Sequence, residues 1–288
     1  MATSRPIPTR RISFEPDLAQ VPKHFAGDGD LVTSHVIAMA SAVFPDGEDF
    51  FVRSVRAYRD RIDDPKLKSE VAGFIGQEAM HGREHRALND RLAELGYPTK
   101  RVERFTKWAL GLREKYLPPI SNLASTAALE HYTATLAEVL LADAEAQREV
   151  GSSPVLDILL WHALEENEHK AVAFDVYKAM GGSERMRTFT MDVVTFGFLG
   201  SMAVQTVISM AGDRTTWTTG ELRRSYERSK SSRFLRKEIW RRLRDYNRPD
   251  FHPNDHDTGE LLERWRDALF GPEGRLNDHL AQPAPSAA

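Results

Sequence analysis

The chain has 288 residues, enough for one large domain or two small ones, and a net charge of −3 that argues neither for nor against nucleic acid, and no nucleic-acid partner is expected. It has no cysteine, which excludes disulfides, thiolate zinc sites, iron–sulfur clusters and cysteine nucleophiles, and leaves His, Asp and Glu as the strong metal ligands. Met1 to Gln20 carries Arg5, Arg10 and Arg11 but no apolar core, so it does not read as a secretory signal and a cytoplasmic location is expected.

Residues 1–28 lack periodicity and are expected to form an extended arm on the surface of one all-α domain spanning 29–270. Asp30 to Val43 reads as a helix stopped by Pro45, and Asp46 opens another, which places Glu48 in a first turn where the helix dipole alone would account for an acid. A long helix follows over 66–95. Its Gly73, Gly76 and Gly82 weaken helix propensity by up to about 1 kcal/mol each and are better explained by a neighbouring helix that comes close. A charged, peripheral helix is expected over Thr99 to Tyr116, then one from Pro119 to about Gln147, in which Glu130 interrupts an apolar run beside Ala127, Ala128 and Leu129.

Ser153-Pro154 starts a helix expected to reach Met180. Thr188 to Ala211 is apolar and almost long enough to span a bilayer. Asp192 and Gln205 lie inside it, and an Asp at depth costs roughly 2.5–3.5 kcal/mol, so the favoured reading is a buried bundle helix, with membrane contact second. Basic residues from Arg223 to Arg244, interleaved with Tyr226, Phe234 and Trp240, keep peripheral membrane contact through 188–244 open, although a solvated face paired with acids is the commoner outcome. A short helix near 257–270 completes the domain, and 271–288 is expected to be a flexible tail. There is no phosphate loop, dinucleotide fingerprint or nucleophile elbow, and strand signals are almost absent.

The chemistry concentrates in Trp161-His-Ala-Leu-Glu-Glu-Asn-Glu-His169. At about 100° per residue, His162, Glu166 and His169 fall within roughly 60° of one another on one helical face. Glu165 with Glu168 would pair two carboxylates and leave the histidines without a shared metal, so Glu166 is the expected ligand. A second Glu-x-x-His unit, Glu78 and His81, lies upstream, and Glu48 and Glu130 each precede one of the two units on a helix of their own. Two such units plus two lone glutamates form the inward-facing ligand pattern of ferritin-like dinuclear carboxylate bundles. The expected fold is therefore a ferritin-like four-helix core with additional C-terminal helices.

The skeleton Glu48, Glu78-x-x-His81, Glu130, His162-x-x-x-Glu166-x-x-His169 resembles the di-iron motif of bacterial p-aminobenzoate N-oxygenases, in which an extra His stands one turn before the second Glu-x-x-His. More of the chain, from Arg11 to Trp265, resembles a bacterial family labelled predicted metal-dependent hydrolases in the ferritin-like superfamily. The residues that carry this likeness are Phe-Pro-x-Gly-Glu-x-Phe-Phe (44–51), Gln-Glu-Ala-x-His (77–81), Ala-x-Glu-His (128–131) and Phe-His-Pro (251–253). The resemblance implies two iron ions, Fe/Fe or Mn/Fe, held by Glu48, Glu78, His81, Glu130, His162, Glu166 and His169. His85, Glu165, Glu168, His131 and Tyr132 would then act as outer partners.

The leading expectation is an O2-activating oxygenase or oxidase that takes an apolar or aromatic small molecule or lipid and draws on an electron donor. The alternatives are a metal-dependent hydrolase with a dinuclear site, and a non-catalytic iron-binding or membrane-associated helical protein. A homo-oligomer is compatible with all three.

Overall fold

The computed structural model describes residues 6–218 and 220–281. Among them the chain forms eleven α-helices and no strand, with one antiparallel bridge between Ile12 and Leu280. Four long helices supply the polar centre: α1 (Leu31–Arg56), α2 (Pro65–Glu94), α4 (Pro119–Ala142) and α6 (Pro154–His169). The helix α3 (Thr99–Tyr116) lies on the outside of α1, and α8 (Glu184–Ala211) packs on α1 and α4. Short helices fill the rest: α5 (Ala144–Val150), α7 (Val172–Ala179), α9 (Glu221–Ser229), α10 (Lys237–Asp245) and α11 (Gly259–Phe270).

Local chemistry explains the main starts. Asp30 accepts a hydrogen bond from the Thr33 amide ahead of α1, and Asp64 does the same from Lys66 ahead of α2, where Pro65 occupies the first turn. The expected helix over Pro119 to Gln147 divides at Asp143, whose side chain caps α5 by accepting from the Glu145 amide at 2.8 Å. The expected helix to Met180 also divides, just after His169. There the Lys170 ammonium is drawn to the His256 carbonyl at 2.6 Å and the Thr258 hydroxyl at 3.1 Å.

Pro45 does not end a helix; it lies inside α1. Proline has no N–H to give the carbonyl four residues back, which is that of Ser41. The Asn89 side chain of α2 donates to that carbonyl at 3.1 Å, and its Oδ1 accepts the Ser41 hydroxyl at 2.8 Å. The helix therefore continues, and Glu48 is a buried mid-helix residue rather than a first-turn acid. Asn89→Ala is expected to cost about 1–3 kcal/mol, because it removes the donor to the buried Ser41 carbonyl and the acceptor of the Ser41 hydroxyl proton. Thermal denaturation of Asn89→Ala with and without Pro45→Ala checks this. Part of the loss should return in the double variant, where alanine restores the missing N–H, and no recovery would refute the substitution of one donor for the other.

The arm is a structural element rather than a surface strap. Ile12 and Phe14 are fully buried, and Leu18, Val21 and Phe25 join the same apolar cluster. The close neighbour of Gly73 and Gly76 is this arm, not a helix: a Cβ at Gly76 would lie 2.0 Å from the Thr9 hydroxyl, and one at Gly73 2.6 Å from Ile7. The expected tail from 271 is also packed as far as Ala281. Leu276 is buried, and the backbone at Ser13 and Arg11 bonds His279 at 3.0 Å and Ala281 at 2.8 Å. Residues 282–288 of that expected tail lie outside the described residues.

The expectation that 188–211 is buried does not hold. Only Arg187, Thr190, Met191, Gln205, Thr206 and Ser209 of α8 are buried, while Phe189, Val193, Phe196, Val204, Val207 and Ile208 are exposed. The apolar residues of this stretch outnumber the places that α1 and α4 offer them. The basic segment behind it is partly paired, as expected, through Arg242 with Glu138, Arg233 with Asp143 and Arg228 with Asp30.

Candidate metal centre

The polar centre sits between two apolar clusters. Trp161 of one stands edge-on to His81 at 4.9 Å, and Phe74 of the other stands edge-on to His169 at 4.9 Å. Phe44 covers His162 in the same way at 5.0 Å. Within this apolar wall the structure brings together Glu48, Glu78, His81, Glu130, His162, Glu166 and His169, none more than 4% exposed.

Their donor atoms form overlapping trios, each with all atoms within 4.8 Å of one another: Glu48, Glu78 and His81; Glu78, Glu166 and His169; His81, His162 and Glu166; Glu48, His85 and His162. Glu48, Glu78, His81, His162 and Glu166 each recur in two trios, so the trios join into one continuous cluster. Glu130 closes the far side, with an oxygen 3.3 Å from His169 Nε2. Gly82 borders the near side, where a Cβ would lie 3.4 Å from Glu48 Oε2.

Hydrogen bonds fix which nitrogen each histidine turns inward. His81 Nε2 donates to Glu165 at 3.0 Å, which leaves Nδ1 facing Glu78 at 3.6 Å and Glu166 at 3.7 Å. The Gln77 amide nitrogen donates to the Pro8 carbonyl and to Glu168, so its oxygen accepts from His169 Nδ1 at 2.8 Å, and His169 Nε2 faces inward. Ser41 gives its only proton to Asn89, so it accepts from His85 Nδ1 at 2.9 Å. His85 Nε2 must then accept from His162 Nδ1 at 2.8 Å, and the lone pair of His162 Nε2 points inward. That lone pair meets Glu166 Oε1 at 2.9 Å, an acceptor facing an acceptor, which a bound cation or an added proton reconciles.

Charge tells the same story. Burial, reinforced by Glu78, holds the Glu48 carboxyl well above its ordinary range, and burial raises Glu130 to about 8. Burial opposes ionisation of Glu78 and Glu166 too, but contacts with His169 and His81, and with His162 and His169, outweigh it and keep both low. Burial likewise opposes charge on His81 and His169; neighbouring carboxylates win, raising His81 to about 10 and His169 well above its usual value. Burial and the charge of His81 lower His162. Both oxygens of Glu48, Glu78 and Glu130, one oxygen of Glu166, His81 Nδ1 and His169 Nε2 are buried without a hydrogen-bond partner. His169 Nε2 lies 3.0 Å from Glu78 Oε1, yet the two lack hydrogen-bonding geometry. So many unsatisfied acceptors in one place are costly unless cations occupy the space between them.

An outer ring anchors the centre. Arg10 of the arm binds Glu165 at 2.8 Å and Glu168 at 2.7 Å, and Arg266 binds Glu168 at 2.7 Å. Glu165, Glu168 and His85 thus support the inner side chains. His131 and Tyr132 do not: one helical step past Glu130 turns His131 to the Arg242 carbonyl at 3.0 Å, and the next turns Tyr132 to Thr195 at 2.7 Å. Sequence reasoning gave no role to Gln77, Ser41, Asn89 or Arg10. Gln77 shares the four-residue stripe of His81 and His85, a usable signal; Arg10 has none, because its role arises only where the arm crosses the helices.

Another trio, His24, His35 and Asp213, lies elsewhere. Asp213 Oδ2 accepts from His24 at 2.9 Å and meets His35 at 3.3 Å, while Oδ1 binds the Thr215 amide and Lys23. With every group partnered, it pins the arm to α1 and to the end of α8.

A family model described as predicted metal-dependent hydrolase matches residues 8–257, and the chain belongs to that family. The match takes in Arg10 and all seven inward-facing residues. No curated protein and no solved structure matches the chain.

Proposed function

We propose that this member of the predicted metal-dependent hydrolase family holds two divalent metal ions in a ferritin-like core and uses them for hydrolysis of a small apolar substrate. The observation that carries the metal pair is the overlap of four ligand trios in one buried cluster, around three histidines whose free nitrogens face inward. Four carboxylates also balance the charge of two divalent ions. When bound, such a pair supplies Lewis acidity and lowers the pKa of water beside it. His81, His162 and His169 would hold the pair through their inward nitrogens, and Glu48, Glu78, Glu130 and Glu166 through their carboxylates. Glu165, Gln77 and His85 keep the rings in register, and Phe44, Phe74 and Trp161 exclude bulk water.

A second reading, O2 activation by an iron pair, is favoured by the donor set itself, in which glutamates and imidazoles on helices replace the aspartate-rich loops usual in dinuclear hydrolases. Metal analysis joined to two assays separates the readings. Hydrolysis predicts turnover of aryl esters or phosphoesters by chain loaded with zinc or manganese, lost on chelation. Stoichiometric O2 uptake by reduced, iron-loaded chain with no ester turnover would overturn hydrolysis in favour of oxidation. Fewer than two ions per chain after loading would refute the metal pair.

A further inference from the structure

We propose that the face formed by α3 and α8 docks on an anionic lipid surface. In the most apolar stretch of α8 only 17% of the residues are buried. Phe196 is 81% exposed, Phe189 68%, Val207 65% and Val204 57%, and their successive spacings of seven, eight and three residues set them along one outward stripe. Soluble chains seldom leave a contiguous apolar patch of this kind uncovered unless something binds it.

A second stripe runs along α3, where Phe105, Trp108, Leu112 and Tyr116 are exposed at the same helical spacing. Both helices pack on α1, and Arg101 at the start of α3 donates to Gln205 near the end of α8 at 3.0 Å, which joins the two helices at that point. Exposed Arg104, Lys107 and Lys115 run beside the α3 stripe. Past the end of α8, Trp217 is 72% exposed, and exposed Arg223 and Arg224 follow on α9.

Apolar and aromatic side chains edged by Lys and Arg are the make-up of helices that lie in a lipid interface, where aromatic rings sit at headgroup depth and basic residues meet anionic headgroups. The helix α8 does not cross the bilayer. Its other face carries Arg187, Gln205 and Ser209 buried against the protein, and Asp192 stays exposed and bonded to Asn247. A second copy of the chain is the less suited occupant, because face-to-face packing would bring the basic margins of the two α3 helices together. The proposal stands apart from the chemistry of the metal centre.

The metal-loaded full chain, floated with phosphatidylcholine vesicles with and without phosphatidylglycerol, tests it. Binding is expected only to the anionic vesicles and should weaken at high salt. Phe196→Asp and Val204→Asp should each reduce binding on the order of tenfold with metal content and helicity unchanged. Lys107→Glu should reduce binding at low salt. No flotation at either salt would overturn the proposal, as would flotation indifferent to Phe196→Asp. So would a sedimenting dimer that does not float and that Phe196→Asp converts to monomer, which would assign the face to a second copy.

Discussion

Chain carrying Glu166→Ala is expected to retain at most one metal ion where the parent retains two. Glu166 stands at 2.9 Å from His162, 3.6 Å from His169 and 3.7 Å from His81, so its loss removes an oxygen from both halves of the cluster at once. The helical framework should survive, because Glu166 makes no contact that holds α6 to α4 or α11, and circular dichroism checks that. The stability consequence appears only with metal present. At a hundredfold excess over Kd, an ion that binds only the folded chain adds about 2.7 kcal/mol. The parent should therefore melt well above its chelated form, and Glu166→Ala close to it. Glu165→Ala offers the contrast. Glu165 bonds the outer nitrogen of His81 and the Arg10 guanidinium, not an inward-facing atom, so its loss should weaken metal affinity about 10–100-fold and still allow two ions at saturation. Two ions per chain in Glu166→Ala, or equal affinities in the two variants, would refute the arrangement.

The legible part of this centre was its helical periodicity. Glu78 with His81, and His162 with Glu166 and His169, fall on one face by arithmetic alone, and Glu130 stands out in an apolar run. Glu48 was legible as a residue type but not as a position. A proline ends most helices, and only Asn89, distant in sequence, supplies the donor that carries α1 through Pro45. The outer ring was legible where it shared a helical stripe with a ligand, as His85 does, and where it sat beside one, as Glu165 does. Arg10 was not, because no local pattern says that an arm will cross α2 at two glycines and deliver a guanidinium to two glutamates. The stretch 188–211 shows a different limit. Hydropathy reports how apolar a helix is, not whether the protein has room to bury it; with α1 and α4 covering one side, the remaining apolar stripe is left facing out. Likewise 271–281 reads as a tail because its packing rests on scattered contacts, Leu276 and Leu280 on the core, His279 on Phe14 and backbone bonds to the arm, with no periodic pattern.

Loading two divalent ions at neutral pH is expected to expel about four protons per chain, since each must leave a site that a metal takes. In the metal-free chain His81 and His169 hold an extra proton, His81 with its pKa at about 10, and Glu48 and Glu130 stay protonated, Glu130 with its pKa at about 8. Calorimetric titration in two buffers of different ionisation enthalpy counts these protons, and release of fewer than two would contradict the cluster. The same groups fix how metal-free stability depends on pH. Burial raises the folded-state pKa of Glu130 above the unfolded value of about 4.3, so its contribution is fully present below that value and is lost as pH rises through about 8. For His81, burial opposes the charge but Glu165 and Glu78 raise the pKa, so its contribution is fully present below about 6.5 and is lost as pH rises through about 10. Both losses have the same sign, so chelated protein should melt at progressively lower temperature from pH 6 to pH 10. Metal competes with these same protons, so its affinity grows over that range and the loaded chain should hold its melting temperature while the chelated chain falls. Loaded and chelated melting curves that ran parallel across the range would mean that the protons and the metal do not share these seven side chains.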